Sequence, residues 1–430
     1  MLDIKYIREN PDIVRNAIKV KGCVCDLDRL LDLDQKIITL KSDLQSCNES
    51  INSLSKKIST VPDSEKQGLI DQSKSIGLSA KEVESKLNDL LPVFDSLLRS
   101  IPQIPDSDVV VGNDDNDNIV IKTHGEKTKF DFIPKDQVEL IRLNDWADFD
   151  RIVNVSGTRT LALKGELARL EIALHMYVLD KLNNIGFRQI SVPSLCSVDA
   201  IFNAGHFPGA DDSVMQDDVY KIEKDNLCLA GTSEIIINSL HQGEILNESD
   251  LPILYAGYSP CFRREAGSAG KDTKGLIRVH QFMKVEEFVI CKNDMNESRH
   301  WHKVLHETME QLLIDMNIPY QVIEACTGDM GFNKIRMNDV EAWIPSQNKY
   351  REVSSTSTIG EFQSRRTNLR YRDSETGKVK FCHTLNSTGI ATPRFLVAFI
   401  ENNQNKDGSV NIPEKLRQYM NGLSRIGGKV

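Results

Sequence analysis

The chain has 430 residues, of which 40% are hydrophobic and 27% charged, a composition typical of globular proteins with two or three domains. The formal net charge of −9 argues against a protein that coats nucleic acid through overall positive charge, although a local basic surface stays compatible with it. No run of about 18 apolar residues occurs, so the sequence predicts no transmembrane helix and no membrane partner.

The N-terminal segment MLDIKYIRENPDIV has neither the apolar centre of a secretory signal nor the Arg/Ser-rich character of a transit peptide. The nine cysteines form no CxxC pair, which indicates free thiols in a reducing compartment. We therefore expect a cytoplasmic location.

Apolar residues then recur at alternating steps of three and four over two long stretches, the pattern of a coiled-coil seam. The first stretch comprises Leu30, Leu33, Ile37, Leu40, Leu44, Cys47, Ile51, Leu54 and Ile58. The second comprises Leu69, Ser73, Ile76, Ala80, Val83, Leu87, Leu90, Phe94, Leu97 and Ile101. Pro62 and Gly68 interrupt the pattern, which favours two helices that fold back as an antiparallel hairpin over about residues 28–101. A dimerising coiled coil fits the periodicity equally well, and Pro92 is expected to kink or weaken the second helix.

Residues 102–123 contain two prolines and an acidic, Asn-rich run, which predict a linker or an exposed loop. After it, helical patterns such as ELARLEIALHMYVLDKLNNIG alternate with β-branched runs such as FRQISVPSL and HQFMKVEEFVI. This mixture predicts an α+β fold with a largely antiparallel sheet. We therefore expect an N-terminal domain at residues 1–105 that carries the helical arm, followed by a second domain at residues 106–430.

Residues 261–288 have the form of a β-hairpin with a long charged loop that contains Gly267, Gly270 and Gly275. Arginines at the base of such a hairpin suit recognition of phosphate. A P-loop is excluded because no GxxxxGK[ST] pattern occurs and because a strand, not a helix, follows the loop. Alone, the stretch is equally compatible with a charged surface hairpin.

Two further segments suit the same chemistry. In residues 351–372, Glu352 precedes a hydroxyl-rich run, and this combination suits Mg²⁺ carried by a nucleotide, with a polar β edge as the alternative. In residues 385–401, small residues lead to Arg394 and an apolar helix, and Pro393 suits its first turn. A helix N-terminus beside an arginine is a good anion site.

The sequence contains no zincin motif. His302 and His306 lie four residues apart on a predicted helix, but a zincin needs Glu directly after the first His, and Lys303 stands there. We interpret this helix face as solvated.

Taken together, these segments resemble the seryl-tRNA synthetase family of class II aminoacyl-tRNA synthetases over nearly the whole chain. Residues 261–288 resemble motif 2, residues 385–401 resemble motif 3, and Pro193 stands where motif 1 has its proline at the dimer interface. The hairpin resembles the helical arm of that family, and VSGTRTLALKGELARLE resembles the entry to its catalytic domain. The resemblance implies a tRNA-binding N-terminal domain, a catalytic domain whose mostly antiparallel sheet is flanked by helices, and a homodimer.

The resemblance also implies an activity and its site residues. The implied reaction is ATP-dependent activation of L-serine to seryl-adenylate, with Mg²⁺, and transfer of serine to the 3′ end of tRNA(Ser), with tRNA(Sec) left open as a second acceptor. The implied catalytic residues are Arg263, Glu352 and Arg394. The implied serine-binding residues are Thr232, Glu234, Arg263, Glu286 and Thr388. The implied ATP-binding residues are Arg263, Arg264, Glu265, Val279, Phe282, Glu352, Val353, Ser354, Ser355 and Arg394, with Glu352 and Ser355 as Mg²⁺ ligands.

The motif 3 segment departs from the family pattern at one position. In the family pattern a glycine precedes the hydroxyl residue, whereas here Ser387 precedes Thr388. Because glycine often occupies backbone positions with a positive φ, we expect that this position requires one. Two other functions stay open from the sequence. One is a paralogue that loads a small amino acid onto a carrier protein, and the other is a coiled-coil interaction protein with an inactive catalytic domain.

Overall fold

The structure is a computed structural model that describes residues 1–207, 218–266 and 275–428. Its helices are α1 (Ile4–Glu9), α2 (Pro11–Val20), α3 (Leu27–Ile58), α4 (Asp63–Ser100), α5 (Gln137–Leu143), α6 (Asp150–Ser156), α7 (Gly165–Asn184), α8 (Val198–Ala204), α9 (Glu234–Leu240), α10 (Met295–Asp315), α11 (Phe362–Thr367), α12 (Thr392–Asn402) and α13 (Glu414–Arg417). Its strands are β1 (Ile119–His124), β2 (Ala147–Asp148), β3 (Ala162–Leu163), β4 (Arg188–Ser191), β5 (Leu195–Ser197), β6 (Tyr220–Ile222), β7 (Leu227–Leu229), β8 (Ile245–Asn247), β9 (Ile253–Phe262), β10 (Gln281–Cys291), β11 (Tyr320–Glu324), β12 (Arg336–Ile344), β13 (Lys349–Gly360), β14 (Arg370–Arg372), β15 (Val379–Phe381), β16 (His383–Ala391), β17 (Val410–Asn411) and β18 (Arg425–Ile426).

The two long helices α3 and α4 form the predicted hairpin. The side chain of Asp26 caps the start of α3, and Pro62, which cannot continue a helix, precedes α4. Leu40 of α3 and Leu90 of α4 line the same groove, as an antiparallel return requires. The seam residues are therefore covered within one chain, so the intrachain interpretation is confirmed. Helix α4 continues through Pro92.

The base of the arm belongs to a small core of its own. It packs against α1 and α2 through a cluster of buried side chains that comprises Leu2, Ile7, Val14, Leu27, Leu30, Leu98 and Ile101. The arm therefore projects from a folded base and is not an isolated helical pair.

The remainder of the chain is built on an eight-stranded sheet in the order β1-β11-β12-β13-β16-β10-β9-β4. Every neighbouring pair is antiparallel except β4 and β9, so the predicted α+β class with a mostly antiparallel sheet is confirmed. Strand β13 lies in the interior of this sheet, so the alternative of a polar β edge for residues 351–372 is wrong. The prediction of a linker at 102–123 is also wrong in part, because the end of this range lies in β1, which pairs with β11 at the sheet edge.

Helices α7, α10 and α12 cover the sheet and share one apolar core with it. Leu174 of α7, Leu313 of α10 and Phe399 of α12 are fully buried beside Val289 of β10. Because neighbouring residues of a strand face opposite sides, β10 and β16 contribute to this core with one set of residues and to the opposite face with the other. Within the described ranges, no helix combines the length and the apolarity that spanning a bilayer would require.

Candidate active site

A cavity of about 490 Å³ opens on the sheet where β9, β10, β13 and β16 lie side by side. Most residues implied by the sequence line it, although they come from segments that are distant along the chain. These residues are Thr232, Glu234, Arg263, Glu265, Val279, Phe282, Glu286, Glu352, Val353, Ser355, Thr388 and Arg394. The antiparallel pairing of β10 with β16 brings two of these distant segments together, because it places Glu286 directly opposite Thr388.

The deep end of the cavity is organised around Glu286, which is fully buried. Asn386 Nδ2 donates to Glu286 Oε1 at 2.9 Å, and Thr232 Oγ1 donates to Glu286 Oε2 at 3.3 Å. Lys284, also buried, forms an ion pair with the same carboxylate. A buried carboxylate is tolerated only when it is paired and hydrogen-bonded, and these partners meet that condition.

A second buried carboxylate, Glu234, lies beside the first. Gln363 Nε2 donates to Glu234 Oε1 at 2.7 Å, and Asn386 Nδ2 donates to Glu234 Oε2 at 3.1 Å. Burial alone would raise the pKa of Glu234, but the nearby imidazole of His206 and the ammonium of Lys284 hold that pKa below its ordinary value. Glu234 therefore stays ionised and orients the amide of Asn386 between the two carboxylates.

At the other end of the cavity, Arg263 and Phe282 lie next to each other. The Arg263 guanidinium carbon is 5.5 Å from the centre of the Phe282 ring, and Arg263 Nε donates to the backbone oxygen of Gly231 at 3.4 Å. An exposed cation beside an aromatic face suits a ligand that carries both a phosphate and a planar ring.

Glu265, implied as an adenine contact, has a positive φ of 56°. Arg278 Nη1 binds Glu265 Oε2 at 2.6 Å, and Arg159 Nη1 donates to the backbone oxygen of Glu265 at 3.2 Å. Non-glycine residues in this region of φ are held there by their surroundings and are frequent at functional sites. The sequence reasoning missed both arginines, although Arg278 stands in the motif 2 stretch itself.

Arg394 lies in the first turn of α12, with Pro393 at the predicted position. Its Nη1 donates to the Glu352 carboxylate at 3.1 Å and to the Glu352 backbone oxygen at 3.1 Å. The two residues that the sequence implied as separate phosphate and metal ligands are thus paired with each other.

Asp339 of β12 is a site residue that the sequence reasoning did not name. It stands opposite Ser355 in the pairing of β12 with β13, and both side chains line the cavity. Asp339 Oδ1 and Ser355 Oγ are both buried, and the Ser355 hydroxyl lies close enough to the Asp339 carboxyl group to interact with it. Burial and the neighbouring Glu352 carboxylate raise the pKa of Asp339 to about 8. This set of oxygen atoms fits a hard divalent cation.

Some implied residues lie away from the cavity wall. Arg264 is exposed, and its backbone N–H donates to the Asp218 oxygen at 3.0 Å, whereas Ser354 Oγ donates to the backbone oxygen of Thr388 at 2.7 Å. Gly267 and Gly270 lie outside the described residues. Ser387 has no positive φ, so the expectation that its position requires one is wrong. Its hydroxyl instead forms a 2.9 Å hydrogen bond with Thr356 Oγ1.

The histidine pair on α10 is not a solvated face, which corrects that interpretation. His302 is buried, with Nδ1 2.9 Å from Thr358 Oγ1 and Nε2 2.8 Å from Asn338 Oδ1. Burial lowers the pKa of His302 to about 4. In the part of the chain that the structure describes, no group of three or more His, Cys, Asp or Glu side chains is arranged to hold a metal ion.

The comparisons with known proteins cover the whole chain. The family model of the seryl-tRNA synthetase N-terminal domain matches residues 1–105, and that of the tRNA synthetase class II core domain (G, H, P, S and T) matches residues 219–403. The serine–tRNA ligase of Deinococcus radiodurans is 46% identical over 430 residues, which is 100% of each chain.

Solved structures agree with these matches. Seryl-tRNA synthetase from Pyrococcus horikoshii, complexed with ATP, superimposes with a TM-score of 0.90 at 36% identity, over 99% of each chain. The cytoplasmic serine–tRNA ligase from Naegleria fowleri, in complex with AMP, superimposes with a TM-score of 0.87 at 28% identity, over 100% of this chain and 99% of that one.

Proposed function

The chain belongs to the seryl-tRNA synthetase family, and from this membership we propose that it activates L-serine with ATP and transfers the serine to tRNA(Ser). It is an ATP-dependent ligase of the class II aminoacyl-tRNA synthetases. The observation that supports the proposal most strongly is the single cavity that joins the buried Glu286 to the cations Arg263 and Arg394.

We assign recognition of serine to the deep end of the cavity. Glu286 and Thr388 face each other across β10 and β16 and would bind the serine hydroxyl, while Thr232 and Glu234 complete the amino-acid pocket. Alanine lacks the hydroxyl and would leave a buried carboxylate with one partner fewer, which is a strong basis for discrimination. The steric wall formed by the Thr388 methyl group would disfavour threonine.

We assign the phosphates and the adenine to the open end. Arg263 would bind the α-phosphate, Arg394 the γ-phosphate, Phe282 would stack on the base, and Glu265 would contact its amino group. Activation is attack by the serine carboxylate on the α-phosphorus, with pyrophosphate as the leaving group. Because both reactants are anionic, the arginines align them and offset their charge, and no general base is needed.

We propose that Glu352 and Ser355 hold Mg²⁺ together with the nucleotide, and the adjacent side-chain oxygens of Asp339 and Ser355 at the cavity wall support this assignment. When bound, the ion offsets charge on the phosphate oxygens. Protein sites for Mg²⁺ commonly supply one or two carboxylates and leave the rest of the coordination to phosphates and water.

We propose a division into a tRNA-binding domain at 1–105 and a catalytic domain at 106–430, supported by the separate core at the base of the arm. The arm would bind tRNA(Ser). We also propose to assay tRNA(Sec) as a second acceptor of serine. We also propose a homodimer, and a cytoplasmic location that the nine free cysteines support.

The proposed activation is tested by ATP–pyrophosphate exchange run separately with serine, threonine, alanine and glycine. We expect exchange with serine alone. Exchange with another of these amino acids would contradict the assigned specificity, and absence of exchange with all four would contradict the reaction itself.

Transfer is tested by offering tRNA(Ser), tRNA(Sec) and carrier proteins as acceptors to the enzyme in the presence of serine and ATP. We expect tRNA(Ser) to accept serine. Acceptance by a carrier protein with no charging of tRNA(Ser) would favour the carrier-loading paralogue instead.

A further inference from the structure

Lys21, at the C-terminal end of α2, is a buried lysine whose partners lie in the other part of the chain. Its side chain donates to three backbone oxygens, those of Lys334 at 2.6 Å, Gly331 at 3.3 Å and Phe332 at 3.3 Å. Only 8% of Lys21 is exposed. Burial lowers the pKa of Lys21 to about 7, and in its protonated form the ammonium offers three donors, each of which needs an acceptor in this buried position. The loop at 331–334 therefore supplies one acceptor for each donor of Lys21.

A second contact from the N-terminal segment holds the same loop. The backbone N–H of Gln103 donates to the Phe332 oxygen at 2.7 Å, and Gln103 Nε2 donates to the Ile359 oxygen at 3.0 Å. The carbonyl groups of the loop are thus held by residues on either side of the helical arm in the sequence. The loop conformation consequently depends on how the base of the arm is seated.

The loop at 331–334 is itself part of the cavity wall, since Gly331, Asn333 and Lys334 line it. Asn333 Nδ2 donates to the Ala204 backbone oxygen at 3.2 Å. The same oxygen accepts from Gln363 Nε2, at 2.8 Å.

The path then reaches the amino-acid pocket. Gln363 Nε2 also donates to Glu234 Oε1 at 2.7 Å, and Glu234 in turn orients Asn386 beside Glu286. Hydrogen bonds, linked through the backbone of the 331–334 loop, thus lead from Lys21 to the carboxylates at the deep end of the cavity.

We propose that Lys21 is a positioning residue for serine activation: by holding the 331–334 loop, it keeps Asn333 and the adjoining pocket in the geometry that binds serine. The inference rests on the proposed function and extends it, because it makes the N-terminal base a part of the activation site as well as a support for the arm. The seating of the arm and the affinity of the pocket for serine are then coupled through one loop.

The experiment compares full-length Lys21→Met, Lys21→Arg and Lys19→Met with the unchanged protein. Methionine keeps an apolar stem nearly as long as that of Lys21 but donates no hydrogen bond, while arginine keeps a positive charge and several donors. Lys19 is exposed on the same helix, two residues away, so Lys19→Met controls for the loss of a lysine from this surface.

Two readouts are taken for each variant. The first is the KM for serine and the kcat in ATP–pyrophosphate exchange, and the second is hydrogen–deuterium exchange of the amides at 329–336. For Lys21→Met we expect the serine KM to rise about tenfold with a much smaller change in kcat, and the loop amides to exchange faster. Lys21→Arg is expected to restore most of the affinity, and Lys19→Met to match the unchanged protein.

The outcomes separate this inference from the proposed function. Exchange activity of the unchanged protein with serine tests the function alone. A Lys21→Met variant that exchanges loop amides faster but keeps the serine KM would show that Lys21 only supports the fold, and would overturn the inference. Unchanged loop exchange would overturn it as well, because the loop would not depend on Lys21.

Discussion

Arg394 and Glu352 illustrate how a side chain can be held ready for a ligand. The Arg394 guanidinium is partly exposed and is paired with the Glu352 carboxylate and backbone oxygen. Under the proposed roles, a γ-phosphate and a metal ion would bind to members of an existing pair. Each member is therefore positioned in advance, and little conformational entropy has to be lost on binding.

Replacing Arg394 with alanine tests this role. We expect kcat/KM for ATP to fall by about 100-fold to 1000-fold, about 3–4 kcal/mol, because a charge-assisted contact to the transferring phosphates is lost. The measurement is ATP–pyrophosphate exchange at saturating serine.

Arg425→Ala is the matched control, since Arg425 pairs with Asp407 on the surface and such pairs contribute little. If Arg394→Ala retained the rate of the control, Arg394 would have no part in binding the phosphates.

At the scale of elements, most of the helical arm makes no side-chain hydrogen bond to the rest of the described chain, and only the base of the arm packs against other elements. Every side-chain hydrogen bond that the structure describes for residues 42–85 stays within the arm. Leu30, Leu98 and Ile101, in contrast, pack against α1 and α2. Removing the whole hairpin would therefore expose the core of the base, whereas shortening it would not.

We predict that deleting residues 42–85, with Lys41 joined to Lys86 by a short glycine turn, leaves serine-dependent pyrophosphate exchange nearly unchanged. Charging of tRNA(Ser) should fall by about 100-fold or more, because the phosphate contacts that the arm is proposed to make are lost. Both rates are measured on the same preparation.

Circular dichroism and thermal unfolding of the shortened protein provide the control for folding. Intact charging by a folded, shortened protein would show that the arm does not bind the tRNA.

At the scale of the molecule, the outer face of α7 presents apolar side chains that are exposed to solvent in the single chain. Ile172 is 55% exposed and Met176 is 49% exposed, and they lie four residues apart on one face of the helix. Leu195, which follows Pro193, is exposed as well. Apolar surface of this kind is typical of an interface with a second copy of the chain.

We predict that the unchanged protein sediments as the proposed homodimer and that the double change Ile172→Glu and Met176→Glu shifts it to a monomer, because the introduced charges would be buried without partners in the interface. Sedimentation velocity at several protein concentrations measures the shift.

Leu78→Glu, at a 65% exposed position on the arm, is the matched control and should leave the oligomeric state unchanged. A dimer that survives the double change would place the interface on another surface.

Much of the fold could be predicted because its signals are local. The hairpin follows from the apolar steps of three and four between Leu30 and Ile101, and the start of α12 follows from Pro393. The hairpin at 261–288, and Glu352 beside its hydroxyl-rich run, could be recognised from their neighbours along the chain, whereas Glu286 was implied only by the family resemblance of its motif. Periodicity and turn chemistry act over a few residues, so the sequence by itself determined these elements.

Only the tertiary structure decided which residues meet across the chain. Asp339 joins the site because β12 pairs with β13, His302 is buried because α10 packs on the sheet, and Lys21 reaches the 331–334 loop more than 300 positions away. No local pattern encodes such contacts, since they depend on strand register and on the packing of distant segments. The sequence thus determined the helices, the strands and the chemistry of the motifs. The packed structure decided which site residues are buried, which of them pair with each other, and which distant residues hold them in place.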